Sequence, residues 1–308
     1  MTKTSIVCAA SMLLVLAGSA GAQPPGITRE MINTTLPLEG APLAVAGPYK
    51  VTSGAIKNAP GLMVFHPENL DAFPSRDTLP VLVWGNGGCA IDTSRYGGFL
   101  STIASHGSHV PGTAGEEGRQ GSAPADDLRG AIDWAFAENA REGAPLRGKI
   151  DTGQVAVMGQ SCGGFLSLGL GSDPRVDTIG MFNSGVQPPN PNAPANPNAN
   201  RFPTTDAIKD LHGPVLLING GERDFLMAAS HATYEAISHV PAFYGARDNA
   251  GHTATVFHPG GGEYANVASN WLRWQFKKNA EAAKMFVGAD CSLCTNPNWD
   301  TESKGFGK

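Results

Sequence analysis

The chain is poor in charge, in cysteine and in long apolar runs, and each shortage removes a class of protein. Only 16% of the 308 residues are charged, and 22 Lys and Arg face 27 Asp and Glu. A formal net charge of −5 offers no basic surface for nucleic acid or an anionic membrane, and neither is expected as a partner. No stretch beyond the N-terminus approaches the ~20 consecutive apolar residues of a membrane span. The G-K-[ST] ending of a phosphate loop, the H-E-x-x-H pair and the calcium loop are all missing. No metal or cofactor is therefore expected. What is present is globular in character: 41% hydrophobic residues, with 39 Gly and 23 Pro marking many tight turns.

Residues 1–22 have the make-up of a secretory signal peptide. Lys3 precedes an apolar stretch over 6–16, and Ala20-Gly21-Ala22 supplies small residues for cleavage. Cleavage there removes one Lys and no acid, so the mature charge becomes 21 − 27 = −6. A secreted or periplasmic location follows as an expectation. Of five cysteines, Cys8 leaves with that segment. Cys89, Cys162, Cys291 and Cys294 remain, an even number that in an exported chain suggests two disulfides with three possible pairings.

Residues 23–308 read as a single α/β domain. An extended arm over 23–45 leads to short β-like runs at 49–56 and 62–66. Residues 79–84 (LPVLVW) form a continuous apolar strand ending in Gly85-Asn86-Gly87-Gly88. A helix over 95–106 and a short strand at 108–110, interrupted by Pro111, come next. The helix over 125–140 carries Asp126 and Asp127 in its first turn, where the dipole favours negative charge, with Leu128, Ile132 and 134–136 toward the sheet. Further strands are predicted at 154–158, 178–182, 215–218 and around 242–244, and a last helix from about 265 to 282. This alternation calls for a mostly parallel sheet flanked by helices. The stretch 187–200 (QPPNPNAPANPNAN) cannot form a core element, and is either a surface excursion or a cap over a site.

Gly159-Gln160-Ser161-Cys162-Gly163 matches the G-x-S-x-G turn, with an apolar strand before it and a helix-compatible run after it. Glycines two residues either side leave room for a sharp, strained turn that exposes the serine. Acyl transfer at such a serine needs donors for the developing oxyanion. One is the Cys162 amide, and the other is sought in the glycine-rich loop, at Asn86 first and Gly87 next. The serine also needs a base and an orienting acid, in the chain order serine, acid, histidine. Asp224, just past the strand at 215–218, is the leading acid, with Glu222 and Asp248 as alternatives. His252, on the loop after the following strand, is the leading base, with His258 behind it.

Together WGNGG after a strand, GQSCGG at the turn, GERD after a late strand and NAGH before the final helix resemble the α/β-hydrolase superfamily. The likeness is to its dienelactone-hydrolase-, chlorophyllase- and cutinase-like branch, over about residues 60–280. The resemblance implies an α/β-hydrolase fold with a mainly parallel sheet of about eight strands, and ester hydrolysis through an acyl-enzyme. Asn86 stands where many polyester-cleaving relatives carry an aromatic residue. On that fold Cys89 and Cys162 would lie near the C-terminal ends of central strands and could pair, holding the oxyanion loop against the turn. Cys291 and Cys294 would then close a small loop in the tail at 283–308.

The expected function is that of a secreted serine esterase acting on a small-molecule or polymeric ester. Polyester or cutin hydrolysis, lactone hydrolysis and acyl-peptide hydrolysis are alternatives within the class. An exported, non-catalytic binding protein on the same fold and a thiol–disulfide oxidoreductase using Cys291 and Cys294 are alternatives outside it. Gly87, Tyr96 and Phe225 are candidate substrate contacts, with Phe99 and Met227 as further pocket-wall candidates. The ester itself, the oligomeric state and the role of 187–200 are left open by the sequence.

Overall fold

The computed structural model describes residues 38, 40–56, 61–113, 124–186, 188 and 203–306. The signal-like segment and all but Pro188 of the 187–200 stretch lie outside the described residues. Nine strands form one sheet: β1 (Val51–Ala55), β2 (Leu62–Pro67), β3 (Pro80–Gly85), β4 (Val110–Thr113), β5 (Asp151–Gln160), β6 (Thr178–Phe182), β7 (Val215–Asn219), β8 (Ala242–Arg247) and β9 (Trp299–Lys304). Their spatial order is β1-β2-β4-β3-β5-β6-β7-β8-β9. From β4 to β8 neighbours are parallel, while β1, β2 and β9 pair antiparallel at the two margins.

The helices are α1 (Gly97–Ser105), α2 (Ala125–Ala140), α3 (Cys162–Gly169), α4 (Met227–Ala236), α5 (Gly262–Gln275) and the single turn α6 (Ala280–Ala283). They cover both faces of the sheet, and the strands show why. On β3, Val81 and Val83 join a core with Leu128 and Ile132 of α2 and Leu166 of α3. Leu82 and Trp84, pointing the other way, join Phe99 and Ile103 of α1 and Tyr264 and Trp271 of α5. The same alternation recurs at Val155 and Val157 against Ala156 and Met158 on β5. Burying each Val or Leu contributes about 1.5–3 kcal/mol, so strands lying between two helical layers must be apolar on both faces. Hydrophobicity alone then cannot fix register, and side-chain size does: a one-residue slip of β3 would drive Trp84 into the space of a valine.

Several elements differ from expectation. The sheet has nine strands rather than about eight, because Trp299–Lys304, within the tail, pairs with β8 from Ala242↔Lys304 to Arg247↔Trp299. WDTESK has no apolar run, since an edge strand needs only Trp299 inside and its charges discourage further edge pairing. The last helix stops at Gln275; Lys278 turns left-handed (φ 51°) and the Asn279 side chain accepts from the Ala282 amide to start α6. β4 tolerates Pro111 because its ladder lies mainly with β2, and among the described strand pairings it meets β3 only at Trp84↔Gly112. Within α2, Ala131 and Ala135 rather than Trp134 and Phe136 complete the buried face.

His109, at the foot of β4, is fully buried beside Trp134, and among the described residues neither ring nitrogen has a hydrogen-bond partner. Burial, and secondarily the nearby His66, push its imidazole down to about 3. The unfolded chain therefore takes up this proton first. The related stability is complete above the unfolded value near 6.5 and drains as pH falls toward 3. At pH 4 the loss is about 3 kcal/mol. Urea unfolding at pH 7 and pH 4 should show that loss in the natural chain and its removal in His109→Phe. An equal acid loss in both would sink the assignment.

Candidate active site

The parallel strands place their carboxyl ends on one side of the sheet, where ligands of open α/β sheets bind. Asn86, Ser161, Asn183, Asp224 and His252 all follow such ends. Ser161 sits between β5 and α3 with φ 53° and ψ −116°, a region costly for any residue with a Cβ. Close packing enforces the turn. A Cβ on Gly159 would stand 2.3 Å from the Gly163 carbonyl carbon, and one on Gly163 would stand 2.0 Å from the Gly85 oxygen. Both flanking glycines are thus required by backbone approach, and β3 is pressed directly against the start of α3.

The Ser161 Oγ lies 2.8 Å from His252 Nε2, and His252 Nδ1 lies 2.8 Å from Asp224 Oδ1. All three are nearly enclosed, at 4%, 6% and 2% exposure. Asp224 accepts from every side. Oδ1 also receives the Leu226 amide (3.1 Å), while Oδ2 receives Asn183 Nδ2 (2.8 Å) and the Gly220 amide (3.2 Å). Burial alone would raise its pKa. The charge and hydrogen bond of His252, with the Asn183 and Leu226 donors, outweigh burial and hold it below the usual carboxylate range. An ionised carboxylate only accepts, so Nδ1 must donate and Nε2 is left as the acceptor for the serine hydroxyl. Glu222 and Asp248 are exposed, and neither they nor His258 take part in this chain of contacts.

The glycine-rich loop after β3 is held from within. Asn86 is buried, and its Nδ2 contacts the Ala90 carbonyl (2.9 Å) and the Thr93 and Thr113 hydroxyls (3.0 Å each). The Gly87 amide donates to the Tyr96 hydroxyl at 2.8 Å. Tyr96, enclosed and with its hydroxyl pushed up to about 12 by burial, donates in turn to Gln160 Oε1 (3.0 Å). Gln160 Nε2 donates to the His252 carbonyl at 2.9 Å. One chain of hydrogen bonds therefore links the loop of Asn86 to the loop of His252. Among the described residues the Asn86 and Cys162 amides have no acceptor. Phe225 is half-buried, its ring centroid 4.1 Å from that of His252. Phe257 at the rim packs on Tyr96 (5.1 Å) beneath the Arg95 guanidinium (4.6 Å).

Cys89 and Cys162 form a disulfide with Cα atoms 5.1 Å apart, tying this loop to the first residue of α3. Cys291 and Cys294 form the second, closing a four-residue loop. The first spans 73 positions and the second 3. Loop-closure entropy then gives about 4 kcal/mol for the first and about 2 kcal/mol for the second. Denaturant unfolding should show Cys89→Ser/Cys162→Ser losing roughly twice as much as Cys291→Ser/Cys294→Ser. The reverse order would refute that ranking.

Gln160 and Asn183 escape a sequence reading centred on titratable residues. Gln160 is the first variable position of the serine motif, and Asn183 is the first residue after β6; position alone could have flagged both. Among the described residues no group of three or more His, Cys, Asp and Glu side chains could hold a metal ion. No helix there is long and apolar enough to cross a membrane. No family model matches the chain, and no curated protein matches it either.

Proposed function

We propose that this chain is an exported serine hydrolase of the α/β-hydrolase fold that cleaves carboxylic esters through an acyl-enzyme. The observation that carries the reading is the unbroken path Ser161–His252–Asp224, two contacts of 2.8 Å, on a strained strand-to-helix turn. As the Ser161 Oγ attacks the ester carbon, His252 Nε2 takes its proton. Asp224 fixes the imidazole tautomer and stabilises the cation that forms. The Asn86 and Cys162 amides are the donors for the oxyanion. Collapse of the tetrahedral intermediate expels the alcohol, which receives the proton from His252, and water then releases the acid by the same route reversed.

Phe225 supplies an apolar wall beside the base. Gly87 and Tyr96 are the candidate contacts on the oxyanion side, tied together by the bond between them. Two disulfides agree with an oxidising compartment, as the signal-like N-terminus suggests. The substrate is an ester, small or polymeric, taken without a metal or cofactor. A fluorophosphonate probe is expected to label Ser161 in the mature chain, with turnover of short- and medium-chain p-nitrophenyl esters. No labelling and no turnover would favour a non-catalytic binding protein on the same fold.

A further inference from the structure

Asn183 stands at the carboxyl end of β6 between the two loops that carry the acid and the base. It is fully buried and left-handed, with φ 48°. Asparagine tolerates that region better than other residues with a Cβ, yet the conformation still costs energy. Its amide donates to the Ile218 carbonyl of β7 at 2.6 Å, which locks the turn against the neighbouring strand. From there Nδ2 donates twice: to Asp224 Oδ2 at 2.8 Å and to the Gly251 carbonyl at 3.2 Å. Gly251 directly precedes His252. One amide group thus spans the acid and the backbone that carries the base, and among the described residues it is the one donor to Asp224 from outside the loop of Asp224 and the histidine itself.

We infer that Asn183 is a positioning residue of the proposed ester-hydrolysing site: it keeps Asp224 ionised and holds the acid and base loops at fixed separation. The inference rests on that reading, since the role has meaning only if Asp224 orients His252 for Ser161. Losing the donor removes a hydrogen bond to a buried charge, so the expected fall in kcat is about 10- to 100-fold with little change in KM. Two variants separate positioning from space filling. Asn183→Gly relieves the left-handed backbone and removes the donor. Asn183→Asp keeps shape and volume but sets a carboxyl against Asp224, and two carboxylates so close cannot both ionise.

While protonated, Asp at 183 still donates to Asp224 and activity persists; as pH rises and that proton is lost, repulsion displaces the acid and activity falls. The other titratable groups on this side are His252, the Tyr244 hydroxyl of β8 and the Tyr264 hydroxyl of α5, both raised by burial, and the Glu263–Arg247 ion pair. All of these residues are retained in the variant, and the Tyr264 hydroxyl faces Asn183 itself, so an alkaline loss confined to Asn183→Asp traces to the substitution at 183.

The experiment measures initial rates of p-nitrophenyl ester hydrolysis across pH for the natural chain and both variants. Beside it, the proton resonance of the His252 Nδ1–H is followed by NMR, a readout that needs no substrate. The expected result is lowered kcat in Asn183→Gly, an added alkaline loss in Asn183→Asp, and a moved or broadened resonance in both. Unchanged rates, pH profiles and resonance in either folded variant would overturn the inference. A natural chain that hydrolyses no ester, but whose resonance moves on substitution, would sink the ester reading and keep Asn183 as the group that orients the pair. Should Asn183→Gly fail to fold, the near-isosteric Asn183→Asp carries the test alone.

Discussion

Ser161→Ala is expected to lower ester turnover by about 10⁴- to 10⁶-fold while the fold persists, the larger figure equalling roughly 8 kcal/mol of lost transition-state stabilisation. The size follows from the proposed route. Among the described residues no other nucleophile stands on His252 Nε2, so on the proposed route the variant retains only what oxyanion donors and binding contribute over bulk water. Thermal unfolding should separate chemistry from structure. Alanine keeps the left-handed strain of φ 53° and loses the hydroxyl bonded to a buried imidazole, so its stability should fall by about 1–3 kcal/mol. Ser161→Gly loses the same hydroxyl but also the strain, and should be the more stable of the two inactive variants. Residual turnover within tenfold of the natural chain would mean that the nucleophile lies elsewhere.

What could be read beforehand follows the strength of local patterning. Strands lying between two helical layers are continuous apolar runs, so β3, β6 and β7 stand out from the sequence almost to the residue. The helix 125–140 declares its start through Asp126 and Asp127 and its inner face through Leu128 and Ile132. Ser161, Asp224 and His252 are nameable because each follows an apolar strand in a fixed chain order, and the fold places those strand ends side by side. Edge structure is less visible. β9 buries one large side chain and otherwise faces water, so nothing in WDTESK separates it from a loop until β8 is there to pair with it. Gln160 and Asn183 are harder still. Neutral amides carry no chemistry of their own, and their roles exist only through partners 92, 41 and 68 positions away.

Asp224→Asn should be nearly as damaging as loss of the nucleophile, at about 10⁴-fold in kcat, although it changes one atom. The reason lies in the four donors around the carboxylate. Oδ1 faces His252 Nδ1 and the Leu226 amide, and Oδ2 faces Asn183 Nδ2 and the Gly220 amide. An asparagine must turn its NH₂ toward one of these pairs. Toward Asn183 and Gly220 it opposes donor to donor and pushes apart the group that spans the acid and base loops. Toward His252 it forces Nδ1 to accept, so the ring proton moves to Nε2 and the serine hydroxyl loses its acceptor. Both orientations disable the base, by displacement or by tautomer, and both leave a buried donor unmatched at about 1–3 kcal/mol of stability. Asp224→Glu keeps the charge but moves it by one methylene, so it should retain the tautomer and lose mainly geometry. Its kcat should therefore exceed that of Asp224→Asn. Steady-state rates on a p-nitrophenyl ester, with the His252 Nδ1 proton resonance followed in parallel, decide the matter. Asp224→Asn with near-natural kcat and an unmoved resonance would show that the contact at 2.8 Å orients nothing.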